Sequence, residues 1–232
     1  MPNLELLNAR VIRCTKCPRL VAHRQRVALP SKRPRRFAGW DYWARPVPGF
    51  GDPAARLFVL GLAPAAHGGN RTGRIFTGDS SGDWLYEALH RFGFANQPHS
   101  RDRHDGLRLL NCYVSAAVRC APPDNKPALN EFANCRPYLR EELRSLRRVR
   151  VVVALGRIAF EQYLKACREL DHPRVVPSPR FAHGAVHRLP WGVTLVASYH
   201  PSQQNTFTGK LTREMFHAVF RHARELLKAK QG

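Results

Sequence analysis

Acidic residues are scarce. Only 17 of the 232 residues are Asp or Glu, against 38 Lys and Arg, which leaves a formal charge of +21 and a pI near 10.9. Self-repulsion of that size is tolerable where a polyanion offsets it. From Arg33 to Arg45 the bases are interleaved with aromatics (RPRRFAGWDYWAR). Nucleic acid is therefore the expected partner; the competing reading is an ordinary charged surface loop. Charge alone predicts salt-dependent contact with phosphates and no choice of sequence. Long apolar runs are missing too. No stretch approaches the roughly 20 residues that span a bilayer, so no membrane association is expected. The opening Met1-Pro2-Asn3-Leu4-Glu5 lacks the basic-then-apolar pattern of a secretory leader. A cytoplasmic location is expected. Internal repeats and low-complexity tracts are absent, so nothing points to a repeat architecture. A chain of this length suits one globular domain over residues 1–232 with a sizeable core. Residues 1–54, rich in Arg and Pro, are expected to be largely irregular after a short helix and to wrap that core.

Six cysteines, Cys14, Cys17, Cys112, Cys120, Cys135 and Cys167, do not form a disulfide framework in a cytoplasmic chain. Cys14-Thr15-Lys16-Cys17 is a CxxC pair. Cys120 and Cys135, 15 positions apart, complete a plausible four-thiolate site. Spacing leaves two occupants open, zinc or a 4Fe–4S cluster, because both accept four cysteines. Cys112 in an apolar strand and Cys167 in a helix read as structural.

Four apolar runs read as strands: 55–61, 107–118, 149–155 and 193–199. Helical spacing follows from Ser81 or Gly82, from Leu129 to Leu146, from Gly156-Arg157, and from Leu211 to Lys228. Pro137 is expected to kink or divide the second of these. Strands alternating with helices imply an α/β fold with a parallel sheet covered on both faces. Sites in such sheets form where loops leave the carboxyl ends of strands. The loops after Leu62, Cys120 and Tyr199 should converge there.

The loop from Gly61 to Asp79 is too long for a plain connection. Its small residues let a ligand approach the backbone. Phe76 is an apolar ring suited to stacking on a flat base, unless it merely tucks into the core. Asp79 is a carboxylate near a helix start, where it could be only a cap. In the second loop, Ser198-Tyr199-His200-Pro201-Ser202-Gln203-Gln204-Asn205-Thr206, His200 could stabilise a developing anion.

Read together, these stretches resemble the family 5 uracil-DNA glycosylases. The motifs are Cys14-Thr15-Lys16-Cys17-Pro18-Arg19, the run from Tyr42 to Asp52, Gly61-Leu62-Ala63-Pro64-Ala65, Asn70-Arg71-Thr72-Gly73-Arg74, Phe76-Thr77-Gly78-Asp79, and the run from His200 to Thr206. They occur in order across nearly the whole chain. The resemblance implies a three-layer α/β/α sandwich with a central four-stranded parallel sheet. It implies a monofunctional enzyme, expected as a monomer, that hydrolyses the N-glycosidic bond of uracil and other deaminated bases in double-stranded DNA and leaves an abasic site. It also implies a 4Fe–4S cluster held by Cys14, Cys17, Cys120 and Cys135. The expected catalytic residues are Asp79, which orients water or steadies the sugar cation, and His200, which stabilises charge at the base or a phosphate. The expected substrate-binding residues are Gly61, Ala63, His67, Phe76, Asn125, Ser202 and Asn205. The first motif holds no polar side chain, and Ala116 stands near where narrower families carry a uracil-reading Asn. A site without a strict polar reader should accept more bases. The alternatives are a narrow, family 4-type uracil enzyme and a non-catalytic iron–sulfur nucleic-acid-binding protein.

Overall fold

The computed structural model describes residues 3–229. Four strands of five residues form the centre of the sheet: β2 (Leu57–Gly61), β3 (Cys112–Ala116), β4 (Val151–Leu155) and β6 (Thr194–Ser198). They lie in the order β3-β2-β4-β6 and are all parallel. Every residue in them is buried, as it must be when both faces are covered. Alternate residues point to opposite faces. Leu57, Val59, Val114 and Val153 pack toward α4 (Ser80–Arg91) and α8 (Arg213–Ala229). Phe58, Leu60, Val152 and Ala154 pack toward α5 (Leu129–Ser145) and α6 (Arg157–Arg168). The result is the expected α/β/α sandwich. Two short antiparallel edge strands extend it, β1 (Phe50–Gly51) beside β3 and β5 (Val186–Arg188) beside β6. With two and three residues, they are too short to leave a period in the sequence.

Three further readings need correction. The N-terminal segment is not largely irregular. It holds α1 (Leu4–Ile12), capped by the Asn3 side chain, α2 (Pro18–Ala28), and 3-10 turns at Pro30–Lys32 and Arg35–Phe37. Helix α2 buries only Leu20 and Arg24, so it shows no apolar stripe to read. Helix α5 is not divided at Pro137, which lies inside one helix from Leu129 to Ser145. The second strand is shorter than the apolar run that announced it: Leu107 and Leu109 join the core as loop residues.

The register places the strand ends level. Gly61 pairs with Ala116, and Leu155 pairs with Ser198. The loops that leave these ends therefore begin side by side. Arg74 anchors the first of them: its buried guanidinium donates to both carboxylate oxygens of Asp105 at 2.7 Å and to Ser100 Oγ at 2.6 Å.

Candidate active site

Gly61 closes β2 on a residue without a side chain, and the Phe76 ring occupies the space: a Cβ at Gly61 would lie 2.5 Å from Phe76 Cζ. Phe76 has a left-handed backbone, φ +52°, which costs a non-glycine residue about 1–3 kcal/mol. The Tyr86 hydroxyl donates to the Ile75 carbonyl at 2.8 Å and fixes the approach. The Phe76 carbonyl lies where a Cβ on Gly82 would stand. Phe76 is 6% exposed and part of the core, yet its ring centroid is 5.8 Å from that of His200, tilted by 31°. Tucking in and facing the site are thus one and the same placement.

Asp79 is the N-cap of α4; its Oδ1 accepts the Gly82 N–H at 3.0 Å. Its other oxygen lies where a Cβ on Gly68 would stand. Burial raises its pKa, and the Asp83 charge adds to the rise; the Gly82 and Ser81 amides and the Arg71 charge oppose it. Capping accounts for one carboxylate oxygen and leaves the second facing the Gly68 turn. His200 follows β6, and burial pushes its pKa down to about 4. At neutral pH it is an uncharged imidazole. Asn205 Nδ2 donates to the His200 carbonyl at 2.9 Å, and Ser202 caps the short helix α7 (Gln203–Phe207). Ser81 Oγ donates to the Pro201 carbonyl at 2.9 Å, which ties the α4 start to the His200 loop. Through that bond Asp79, Phe76 and His200 belong to one assembly.

Not every expected residue joins it. His67 turns toward the N-terminal segment, with Nδ1 2.9 Å from the Tyr42 hydroxyl and the Phe37 ring 6.3 Å away. Ala63 packs against the cysteine cluster. Asn125 is exposed in the 3-10 turn Pro123–Asn125, in a left-handed conformation, and no hydrogen bond described here joins it to Phe76, Asp79 or His200. A surface cavity of about 420 Å³, lined by Arg13, Arg24, Arg45 and Trp43 among others, borders the far side of the loop, where the Trp43 and Ala44 amides donate to the Arg71 and Asn70 carbonyls. Sequence reasoning missed Arg71. It is buried beneath Phe37 and Trp40, from the basic aromatic run read as a phosphate contact. Interleaved Arg and aromatic residues were the available signal, since these types stack on one another as readily as on DNA.

The four cysteines of interest gather in one place. Cys17, Cys120 and Cys135 pack with Leu20, Ala117, Val118 and Phe132, and Cys14 adjoins Tyr138 beside them. Burial raises the Cys120 thiol to about 12, and the charges of Cys135, Cys14 and Cys17 add to the rise. Cys135 is raised to about 11 by burial, against the Arg119 amide. Asn134 Nδ2 donates to Cys17 Sγ at 3.4 Å. Among the described residues no three His, Cys, Asp or Glu side chains close on a point that would hold a metal ion. Cys112 and Cys167 lie apart, buried in the two main cores as expected.

Fold and site together define a doubly covered parallel-sheet protein whose polar loops meet at the carboxyl ends of the strands. A model of the Uracil DNA glycosylase superfamily matches residues 48–224. The type-5 uracil-DNA glycosylase of Mycobacterium tuberculosis is 51% identical over 95% of this chain and 80% of its own length. That of Thermus thermophilus is 54% identical over 92% of this chain and 93% of its own. The type-4 uracil-DNA glycosylase of Archaeoglobus fulgidus is more distant, 29% identical over 80% of this chain and 83% of its own. The chain belongs to the uracil-DNA glycosylase superfamily and, within it, to the type-5 family.

Proposed function

We propose that the protein excises uracil and other deaminated bases from double-stranded DNA, hydrolysing the N-glycosidic bond to leave an abasic site. The observation that carries this reading is the assembly of the Phe76 ring on Gly61, the neutral His200 beside it, and the Asp79 carboxylate at the start of α4. A base inside a duplex must be flipped out to be reached, and flipping is cheapest at a mismatch. Phe76 supplies a flat apolar face for the flipped base. Breaking the bond leaves positive charge on the sugar and negative charge on the base, an oxocarbenium-like state. His200, uncharged, donates a hydrogen bond to the departing base. Asp79 orients water or steadies the sugar cation. Ser202 and Asn205 hold the His200 loop. The strand ends nearest the ring carry Gly61 and Ala116, and the first motif has no polar side chain; this supports broad rather than strict base choice. DNA is the partner that offsets the +21 charge. We place the protein in the cytoplasm, acting as a monomer.

The cysteine pocket fits a 4Fe–4S cluster held by Cys14, Cys17, Cys120 and Cys135. Ionised together, these thiols would repel one another in an apolar setting, so a cationic centre must offset them. A single zinc ion at about 2.3 Å from each sulfur would draw its thiolates to within about 4 Å of each other. A 4Fe–4S cluster accepts the same four thiolates, and the resemblance to the type-5 family favours it over zinc. When bound, the cluster supplies a cross-link between α1–α2 and α5; hydrolysis itself transfers no electrons.

The test is Asp79→Ala on a uracil-containing duplex under single turnover, with abasic sites counted. A fall of about 100-fold or more is expected for loss of a group acting at the bond. Unchanged turnover would remove Asp79 from the mechanism.

A further inference from the structure

Arg71 is 3% exposed, and no carboxylate within ion-pair distance is described for it. Instead its guanidinium lies between two rings, 4.0 Å from the centroid of Phe37 and 4.0 Å from that of Trp40. Two of its nitrogens donate to the backbone of the loop that bears the carboxylate. Nε donates to the His67 carbonyl at 2.7 Å and Nη2 to the Gly78 carbonyl at 2.9 Å. Gly78 has φ +76°, and a Cβ there would overlap Nη2, so the backbone fits closely around the guanidinium. Nη1 is buried without a partner. Arg71 thus bridges the two ends of the turn from His67 to Gly78, and the next residue is Asp79. Burying an unpaired cation is costly, and the rings and carbonyls offset only part of that cost.

We propose that Arg71, held against Phe37 and Trp40, is a positioning residue for Asp79, fixing through its bonds to the His67 and Gly78 carbonyls the turn that carries the carboxylate. This rests on the reading that Asp79 acts at the bond. The run from Arg33 to Trp43 then serves the reaction from behind the loop and is not simply a phosphate contact. Tyr42, Arg36 and Asp79 act on Arg71, and Arg71 and Asp83 act on Asp79, with the amides of Gly82 and Ser81. Asp83 in turn feels Arg213 and His99. Arg71 is the one cation in the set that acts directly on Asp79.

The sign follows. Burial favours the protonated Asp79, and the Arg71 charge favours the ionised form. Removing that charge raises the pH at which Asp79 protonates, so activity that needs the carboxylate is lost earlier on acidification. The experiment is the pH dependence of single-turnover uracil release for wild type, Arg71→Lys, Arg71→Gln, Trp40→Leu and Asp79→Ala, with circular dichroism as a check on folding. Arg71→Gln is expected to move the acid limb upward and, by freeing the turn from His67 to Gly78, to lower the rate on the order of tenfold or more. Arg71→Lys should keep the limb near the wild-type position and lose rate on the order of tenfold, because one ammonium cannot bridge both carbonyls. Trp40→Leu should move the limb in the same direction by less, and it decides the matter alone if Arg71→Gln does not fold. An unmoved limb with Asp79→Ala inactive overturns the inference and leaves the Asp79 reading standing. An active Asp79→Ala overturns both.

Discussion

At the scale of single residues, the proposed chemistry depends on two placements. Gly61 has no side chain because the Phe76 ring lies where one would be. Gly61→Val is therefore expected to push the ring out of register. Overpacking of this kind costs about 1–3 kcal/mol, and displacement of the stacking face should lower uracil release on the order of 100-fold. A thermal melt and a single-turnover assay check both. His200 sets a pH dependence of stability. Its pKa in the folded protein is near 4, below the 6.5 of an unfolded chain. Between those values the unfolded state binds the additional proton, so the His200 contribution is complete above 6.5 and is lost as pH falls toward 4. Denaturant midpoints measured near neutral pH and near pH 5 should fall for wild type by more than for His200→Asn. An equal fall would mean that His200 is not buried as a neutral group.

At the scale of elements, the four parallel strands were legible because each is a continuous apolar run buried on both faces. The edge strands and α2 were not: two or three residues carry no period, and α2 is an arginine-rich helix with one buried Leu. Within the site, Phe76, Asp79 and His200 could be named from motif and loop length. Arg71 could not, because its role depends on Phe37 and Trp40 folding back across more than 30 positions. Asn125 looked like a site residue by its position after β3, yet it lies exposed on its turn. The N-terminal helices meet the sandwich through small contacts: Leu7 and Val11 on Tyr138, and Leu20 in the cysteine pocket. Helix α2 is also held by the Arg19 ion pair with Glu131 of α5 and by Arg24, which donates to the Ala44 carbonyl; a cluster at the proposed four-cysteine site would add a further tether. Cys120→Ser is therefore expected to lower iron content and melting temperature together; iron analysis and the melt should report both changes. Retained iron with an unchanged melt would contradict the four-cysteine assignment.

At the scale of the whole molecule, the sheet explains why distant motifs act together. Strand register sets Gly61 beside Ala116 and Leu155 beside Ser198, so loops separated by more than a hundred residues start from one edge. The Ser81–Pro201 bond then joins the first loop's helix to the last loop. The surrounding charge draws the DNA without choosing a sequence; choice is left to the pocket. In the proposed pocket the neighbouring strand ends would offer Gly61 and Ala116, neither able to hydrogen-bond a base edge through a side chain. Hydrogen-bonding sites reject the wrong base strongly, and apolar ones reject it weakly. The most direct measurement is single-turnover release of uracil and of hypoxanthine from the same duplex sequence. The account predicts detectable release of both, because neither Gly61 nor Ala116 offers a side chain that would hydrogen-bond one base and reject the other. Release of uracil with no detectable release of hypoxanthine would contradict it.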